Sequence, residues 1–363
     1  MTVVSTPARR SERPGPNRTA AVGSYSALSQ LIRDAGLLRR SYRFYATLLT
    51  VLALCLAGLG AGFVLLGDSW FQLLIAAGLG VVLTQVAFVA HEASHRQVLA
   101  SGRANDVLGR VLANGVVGIS HSWWVTKHNR HHANPNQVGK DPDIEQDTVS
   151  FLEGDAAARR GPLRVLTRVQ GYAFFPLLTL EGLNLHVTSM RTLLAAPRGR
   201  QRTVELAILG ARLGAYLAVL VVVLPPGLAA AFLGVQLAVF GVYMGASFAP
   251  NHKGMPVVPE DGRLDFLRKQ VLTSRNIRGG RAMTALMGGL NHQVEHHLFP
   301  SMPRPHLAQA RELVRAHCAR ESIPYTETGL VRSYAIVVAY LNRVGLAARG
   351  PFECPMLAAY RPS

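Results

Sequence analysis

Four long apolar runs stand out from an otherwise mixed chain: Phe44–Gly67, Phe71–Ala90, Leu206–Leu224 and Leu228–Ala249. Each is about 19 to 24 residues long, and at ~1.5 Å per residue a helix of that length crosses a hydrocarbon core of ~30 Å. Arg212 alone carries charge within them, close enough to one end for its stem to take the guanidinium to the headgroups. Buried helices of a large soluble protein explain the pattern less well, because core helices seldom stay uncharged over four such lengths. GDSW at Gly67–Trp70 and PPG at Pro225–Gly227 separate the runs in pairs and leave room only for tight turns. The expected fold is therefore all-α: an integral-membrane domain of four helices in two hairpins, under a helical cytoplasmic cap.

Charge sets the expected orientation. Of 38 Lys and Arg none falls in the hairpin turns, so both termini and the long middle segment are expected in the cytoplasm, on the inner side of the cell membrane. The start, MTVVSTPARRSERPGPNRTAA, lacks an apolar signal core and reads as a solvated tail, with the first span a retained anchor. This divides the chain into a basic tail and lead-in helix (1–43), a membrane domain with its cytoplasmic segments 91–205 and 250–310 (44–310), and a C-terminal helical segment (311–363).

Composition agrees: 49% hydrophobic and 16% charged residues over 363 positions suit a membrane protein. The net charge of +17 is spread over all the cytoplasmic segments, without the focused patch of a nucleic-acid binder. Anionic headgroups and an acidic redox partner account for it better. Cys55, Cys318 and Cys354 form no C-x-x-C, which fits a reducing compartment without disulfides. Gly-rich GLGAG at Gly58–Gly62 lies inside a span and is no dinucleotide fingerprint.

The histidines carry the chemistry. HEASH places His91 and His95 directly after the second run, HNRHH places His128, His131 and His132 in the middle segment, His252 follows the fourth run, and NHQVEHH holds His292, His296 and His297. Positions i, i+3 and i+4 share one helix face, so each cluster presents two or three imidazoles to one point. His121 and His186 lie nearby without a usable spacing. Eight or nine nitrogen donors exceed what one zinc takes, so two metals are implied; imidazole suits iron, zinc and copper alike.

HEASH also matches the H-E-x-x-H of zinc proteases, in which the glutamate is the base. PVVPEDG at Pro256–Gly262 approaches the second motif of intramembrane metalloproteases, but Lys253 occupies the required Asn position. That reading leaves HNRHH and NHQVEHH without a purpose.

H-x-x-x-H at His91, H-x-x-H-H at His128 and Q-x-x-H-H at Gln293, with hydrophobic hairpins between, resemble the three histidine boxes of the integral-membrane fatty acid desaturases, a group related to membrane hydroxylases. The most specific stretches are WWVTKHNRHH at Trp123–His132 and GGLNHQVEHHLFP at Gly288–Pro300. Gln in the third box resembles the front-end and linoleoyl-type branch. The resemblance implies two irons bound by His91, His95, His128, His131, His132, His252, His296 and His297, with Gln293 in the position other branches fill with histidine and His292 as its possible substitute. It further implies a fatty acyl substrate, carried on CoA, on acyl carrier protein or in an intact lipid, O2 as co-substrate and insertion of a cis double bond, with a membrane hydroxylase as the nearest alternative. No haem, flavin or iron–sulfur motif is present, so a separate electron donor, ferredoxin-like or a reductase, is expected.

Glu92, Glu295, Asp141 and Asp143 are the nearest candidates to orient imidazole N–H groups, the alternative for each being a solvated carboxylate on a helix face. Trp123 and Trp124 read as interfacial anchors, His186 as part of an interfacial amphipathic stretch, and His306 and His317 as surface residues.

Overall fold

A computed structural model describes residues 18–349; the basic tail up to residue 17 and Cys354 lie outside the described residues. In chain order the helices are α1 (Arg18–Asp34), α2 (Tyr42–Leu66), α3 (Gln72–Ser94), α4 (Gly102–Arg110), a π-helix (Val111–Val117), α5 (His121–Ala133), α6 (Glu153–Ala158), α7 (Gly161–Arg168) and α8 (Gln170–Ala195). There follow α9 (Arg200–Val223), α10 (Pro226–His252), α11 (Phe266–Leu272), α12 (Arg281–Leu286), α13 (Gln293–Leu298), α14 (Leu307–Arg320) and α15 (Leu330–Leu346). Two parallel strands of two residues each, β1 (Asn276–Ile277) and β2 (Glu327–Thr328), leave the all-α character intact.

Four helices, α2, α3, α9 and α10, are long and apolar enough to cross a membrane, and the protein is a multi-pass membrane protein. They outrun the predicted stretches where it matters: α3 continues through His91 to Ser94, and α10 through Asn251 to His252. These histidines thus sit on the last turns of the spans themselves. Burial sorts the four. Much of α3 and α10 is covered by protein (44% and 39% of their most apolar windows), whereas α2 and α9 are almost bare (6% and 11%) and turn their side chains to lipid.

The long amphipathic α8 packs on α10 where two glycines meet. A Cβ on Gly182 would lie 2.2 Å from the Leu237 carbonyl oxygen, and one on Gly241 2.4 Å from the Gly182 nitrogen. Only backbone against backbone fits there, the small-residue packing of membrane helices. Above the spans a second core joins α1 (Leu28, Ile32), α11 (Leu267, Val271), α13 (Val294, Leu298) and α14 (Leu307, Val314). It is a lid of apolar side chains over the third histidine box.

Periodicity gave no sign of the π-helix. Its end is forced by Gly118, at φ 96°: the Gly118 and Ile119 amides both donate to the Ala113 carbonyl, at 2.8 and 2.9 Å. That bond pattern is wider than α-helical and rare outside functional regions.

Candidate metal centre

The C-terminal ends of α3 and α10 meet the short helices α5 and α13, and their histidines converge in two groups. His91, His95, His128, His132 and His296 form the first; His131, His252 and His297 form the second, and within each group the ring nitrogens lie within 4.8 Å of one another. H-x-x-x-H on α3 and H-x-x-H-H on α5 act as helix geometry requires, but α5 divides its three: His128 and His132 turn to the first group and His131 to the second. The pair at the third box is likewise split, His296 one way and His297 the other.

In the second group the tautomers follow from the partners. His131 Nδ1 faces the Asp141 carboxylate at 3.0 Å, His252 Nδ1 faces the Thr273 carbonyl at 3.0 Å, and His297 Nδ1 faces Gln270 Oε1 at 2.9 Å. Each acceptor holds the ring proton on Nδ1 and leaves the Nε2 lone pair of the neutral ring pointing inward. His131 Nε2 and His252 Nε2 stand 3.3 Å apart, and His297 Nε2 is buried without a protein partner among the described residues. Convergent lone pairs with nothing between them repel; a cation removes the repulsion. Gln293 joins this group, its side-chain nitrogen 2.9 Å from His252 Nε2. His292 points away, toward the Thr284 hydroxyl at 3.4 Å, because it belongs to a 3-10 turn ahead of α13.

The first group is denser. His128 Nε2 lies 2.8 Å from His91 Nε2 and 2.9 Å from His95 Nε2. Among the described residues both ring nitrogens of His132, Nδ1 of His91 and Nε2 of His296 are buried without a partner, a cost that ligation would relieve. Trp124 stacks on His128 with ring centres 4.9 Å apart. Nitrogen donors in this number fit two divalent transition metals.

Burial and mutual proximity keep most of these rings neutral. Burial, then His131, pushes His95 down to about 3, and burial followed by neighbouring imidazoles holds His128, His132, His296 and His297 well below the usual histidine range. His131 goes the other way: burial lowers it, but Asp141 and Asp143 outweigh burial and raise it. Neutral imidazole is the form that binds metal.

Of the four candidate carboxylates, Asp141 does orient an imidazole, and Asp143 lies 3.4 Å from the same His131 Nδ1 while pairing with Lys127 at 2.6 Å. The other two do something else. Glu92 forms a buried two-pronged ion pair with Arg304, at 2.8 and 2.6 Å, and receives the Tyr45 hydroxyl at 3.3 Å. Glu295 accepts from Asn276 at 2.7 Å and Tyr325 at 2.6 Å. Both side chains point away from the imidazoles on their helices and tie the boxes to neighbouring elements. Thr273 and Gln270, three residues apart at the end of α11, escaped sequence reasoning, since nothing in a lone Gln and Thr marks a partner of histidine.

Other expectations change as well. His317 is buried and 2.9 Å from the Ser24 hydroxyl, and His306 is half-buried with Nδ1 2.7 Å from the Leu37 carbonyl, because α1 folds over α14 and covers the face that looked exposed. Arg212 Nε donates to the Val116 carbonyl of the π-helix at 2.9 Å. Trp123 and Trp124 line an apolar pocket with Ala113, Val117, Phe248 and, at the histidine end, His91. An apolar pocket that reaches the histidine cluster at His91 suits an alkyl chain.

These features define a class: a multi-pass membrane protein whose spans carry a buried, two-part histidine centre beside an apolar cavity. The profile of the fatty acid desaturases matches residues 68–329, and the chain belongs to that family: it is a membrane fatty acid desaturase, an oxidoreductase that introduces double bonds. It is 27% identical over 340 residues to a Delta(8)-fatty-acid desaturase of Helianthus annuus, covering 90% of this chain and 74% of the relative. A Delta 8-(E)-sphingolipid desaturase of Kluyveromyces lactis is 27% identical over 363 residues (93% of this chain, 62% of the relative). A Delta(6)-fatty-acid desaturase of Caenorhabditis elegans is 26% identical over 339 residues (89% and 75%). The chain thus spans about three fifths to three quarters of the length of these relatives.

Proposed function

We propose that the protein is an O2-dependent desaturase that inserts a cis double bond into an acyl chain held in the cavity, using two irons bound by the eight clustered histidines with Gln293 at the second site. One observation carries this reading: two adjoining groups of buried, convergent imidazoles stand beside an apolar pocket whose wall includes His91 of the first group. The reaction balances with four electrons and four protons on dioxygen. Two of each come from the adjacent methylenes, two electrons come from a reduced carrier and two protons from solvent, and two waters leave. Iron held by these histidines would supply the dioxygen chemistry, which zinc, having no redox chemistry, would not.

The side chains do the rest. Asp141, the Thr273 carbonyl and Gln270 hold His131, His252 and His297 in one tautomer each, so that three nitrogens face one point. For Gln293 to bind, its amide turns so that Oε1 replaces the nitrogen now beside His252. Apolar walls keep water from the reacting carbons and hold one methylene pair toward the metals. The basic residues gather on the segments outside the hairpin turns, which supports a cytoplasmic centre that receives electrons from a separate acidic carrier. The relatives' names point to a fatty acyl or sphingolipid acyl chain as substrate.

Expression in a host lacking the activity, followed by gas chromatography–mass spectrometry of its lipids, tests the reading. A new double bond is expected; a hydroxylated chain instead makes the enzyme a hydroxylase, and no new product with a competent donor present overturns the proposal. Metal analysis is expected to find about two irons per chain, and one zinc would favour hydrolysis.

A further inference from the structure

The π-helix forms one wall of the cavity through Ala113 and Val117, and α9 grips it from the lipid side at two points. Glu205 accepts from the Asn114 side chain at 3.2 Å, and Arg212 donates to the Val116 carbonyl at 2.9 Å. The two are seven residues apart, so they stand two turns apart on one face of α9, with Ile208 between them against Gly115. Glu205 also accepts from Ser120, the residue that caps α5, at 2.7 Å. Arg212 is fixed further by Tyr216, whose ring lies 4.7 Å beneath its guanidinium, while the Tyr216 hydroxyl donates to Gln236 of α10 at 3.3 Å.

A charge on a membrane helix is costly, and so is a carbonyl in the last turn of a helix, which has no intrahelical donor. Here each offsets the other: Arg212 gives the Val116 carbonyl a donor, and that carbonyl gives the guanidinium a partner away from water. We infer that Arg212 is a specificity-positioning residue, which holds the π-helix wall in register and so decides which methylene pair of the acyl chain faces the histidine centre. The inference rests on the desaturase reading. Without the Arg212 bond, the wall can relax by one residue toward α-helical pairing, which moves Ala113 and Val117 and changes the depth to which the chain enters.

The test compares product profiles of the full-length protein and three variants in the same host. Arg212→Leu removes donor and cation while leaving a side chain that suits lipid; Arg212→Gln keeps a polar group too short to span to Val116; Arg212→Lys keeps length and charge. For Arg212→Leu the ratio of double-bond positional isomers, read by mass spectrometry of derivatised products, is expected to change about tenfold, on the order of 1.4 kcal/mol between neighbouring registers. Arg212→Gln is expected to give a smaller change in the same direction and Arg212→Lys to stay nearest the parent. If Arg212→Leu fails to accumulate, Arg212→Gln decides. Lower total product with unchanged isomer ratio and chain-length profile overturns the inference, because lost stability alone reduces yield without moving the double bond. Absence of any double bond from the parent protein would instead remove the desaturase reading itself.

Discussion

The two imidazole groups differ in what stands behind each ring. In the second group every histidine has an acceptor on its outer nitrogen: a carboxylate for His131, a backbone carbonyl for His252 and an amide oxygen for His297. In the first group His91 Nδ1 and both nitrogens of His132 have no protein partner among the described residues. One site is therefore oriented by the protein, and the other is a crowd of five rings that a cation must order. Outer partners fix tautomer and basicity before metal arrives; where they are missing, the metal itself meets the cost of burying the rings.

Replacing a ring of the crowded group breaks the contrast most severely. His132→Ala is expected to remove more than about 100-fold of the activity, beyond the loss typical of an outer partner, and to lower the bound metal from two per chain to one, read by elemental analysis of purified protein. Equal loss of both metals would show that the groups fill as a unit. Next comes the ion pair behind the first box. Arg304→Leu leaves the Glu92 carboxylate buried and unpaired one residue from His91, at a cost of ~3–5 kcal/mol in thermal unfolding, and the double variant with Glu92→Leu is expected to recover most of it.

A smaller effect sharpens the difference. Asp141→Asn and Gln270→Leu disturb only the second group and are expected to weaken one metal by ~10–100-fold while sparing the other, as titration with a chelator would resolve. Weakening of both metals together would argue against two separately oriented sites. The smallest effect is that of pH on the metal-free protein. The unfolded chain takes up protons near pH 6.5, whereas folded His95 resists until about pH 3, so this contribution is present above 6.5 and fades as pH falls. Each such ring removes ~1.4 kcal/mol per pH unit inside its window. His131, raised by Asp141 and Asp143, has the opposite sign: its contribution is full below 6.5 and is lost as pH rises through its folded value. A melting temperature that drops between pH 7 and 5, and drops more steeply in Asp141→Asn, is the expected result; no dependence on pH would mean that the rings are not held neutral.

Much of this was open to reading from sequence because the signals are local. Twenty apolar residues in a row have one economical fate, and histidines at i, i+3 and i+4 share a face whatever surrounds them. The spans, the hairpin turns and the clustering of His91, His95, His128, His131, His132, His252, His296 and His297 follow from such short-range rules. Gln293 could be preferred to His292 on spacing, and the 3-10 turn at Leu290–His292 supplies the reason it lies nearer the second group.

What spacing left open depends on contacts between distant segments. That α5 sends His131 to one group and its neighbours to the other is decided by the crossing of α3, α10 and α13, which no one-dimensional pattern encodes. Glu92 looks identical in sequence whether it activates water, orients a ring or meets an arginine 212 positions away, and only the fold brings Arg304 to it. His317 looked exposed until α1 was laid across it. Helical period and hydrophobic length thus determined which residues form spans and which share a face, whereas tertiary packing decided which face meets which, because an imidazole, carboxylate or guanidinium takes its role from the partner within ~3 Å of it.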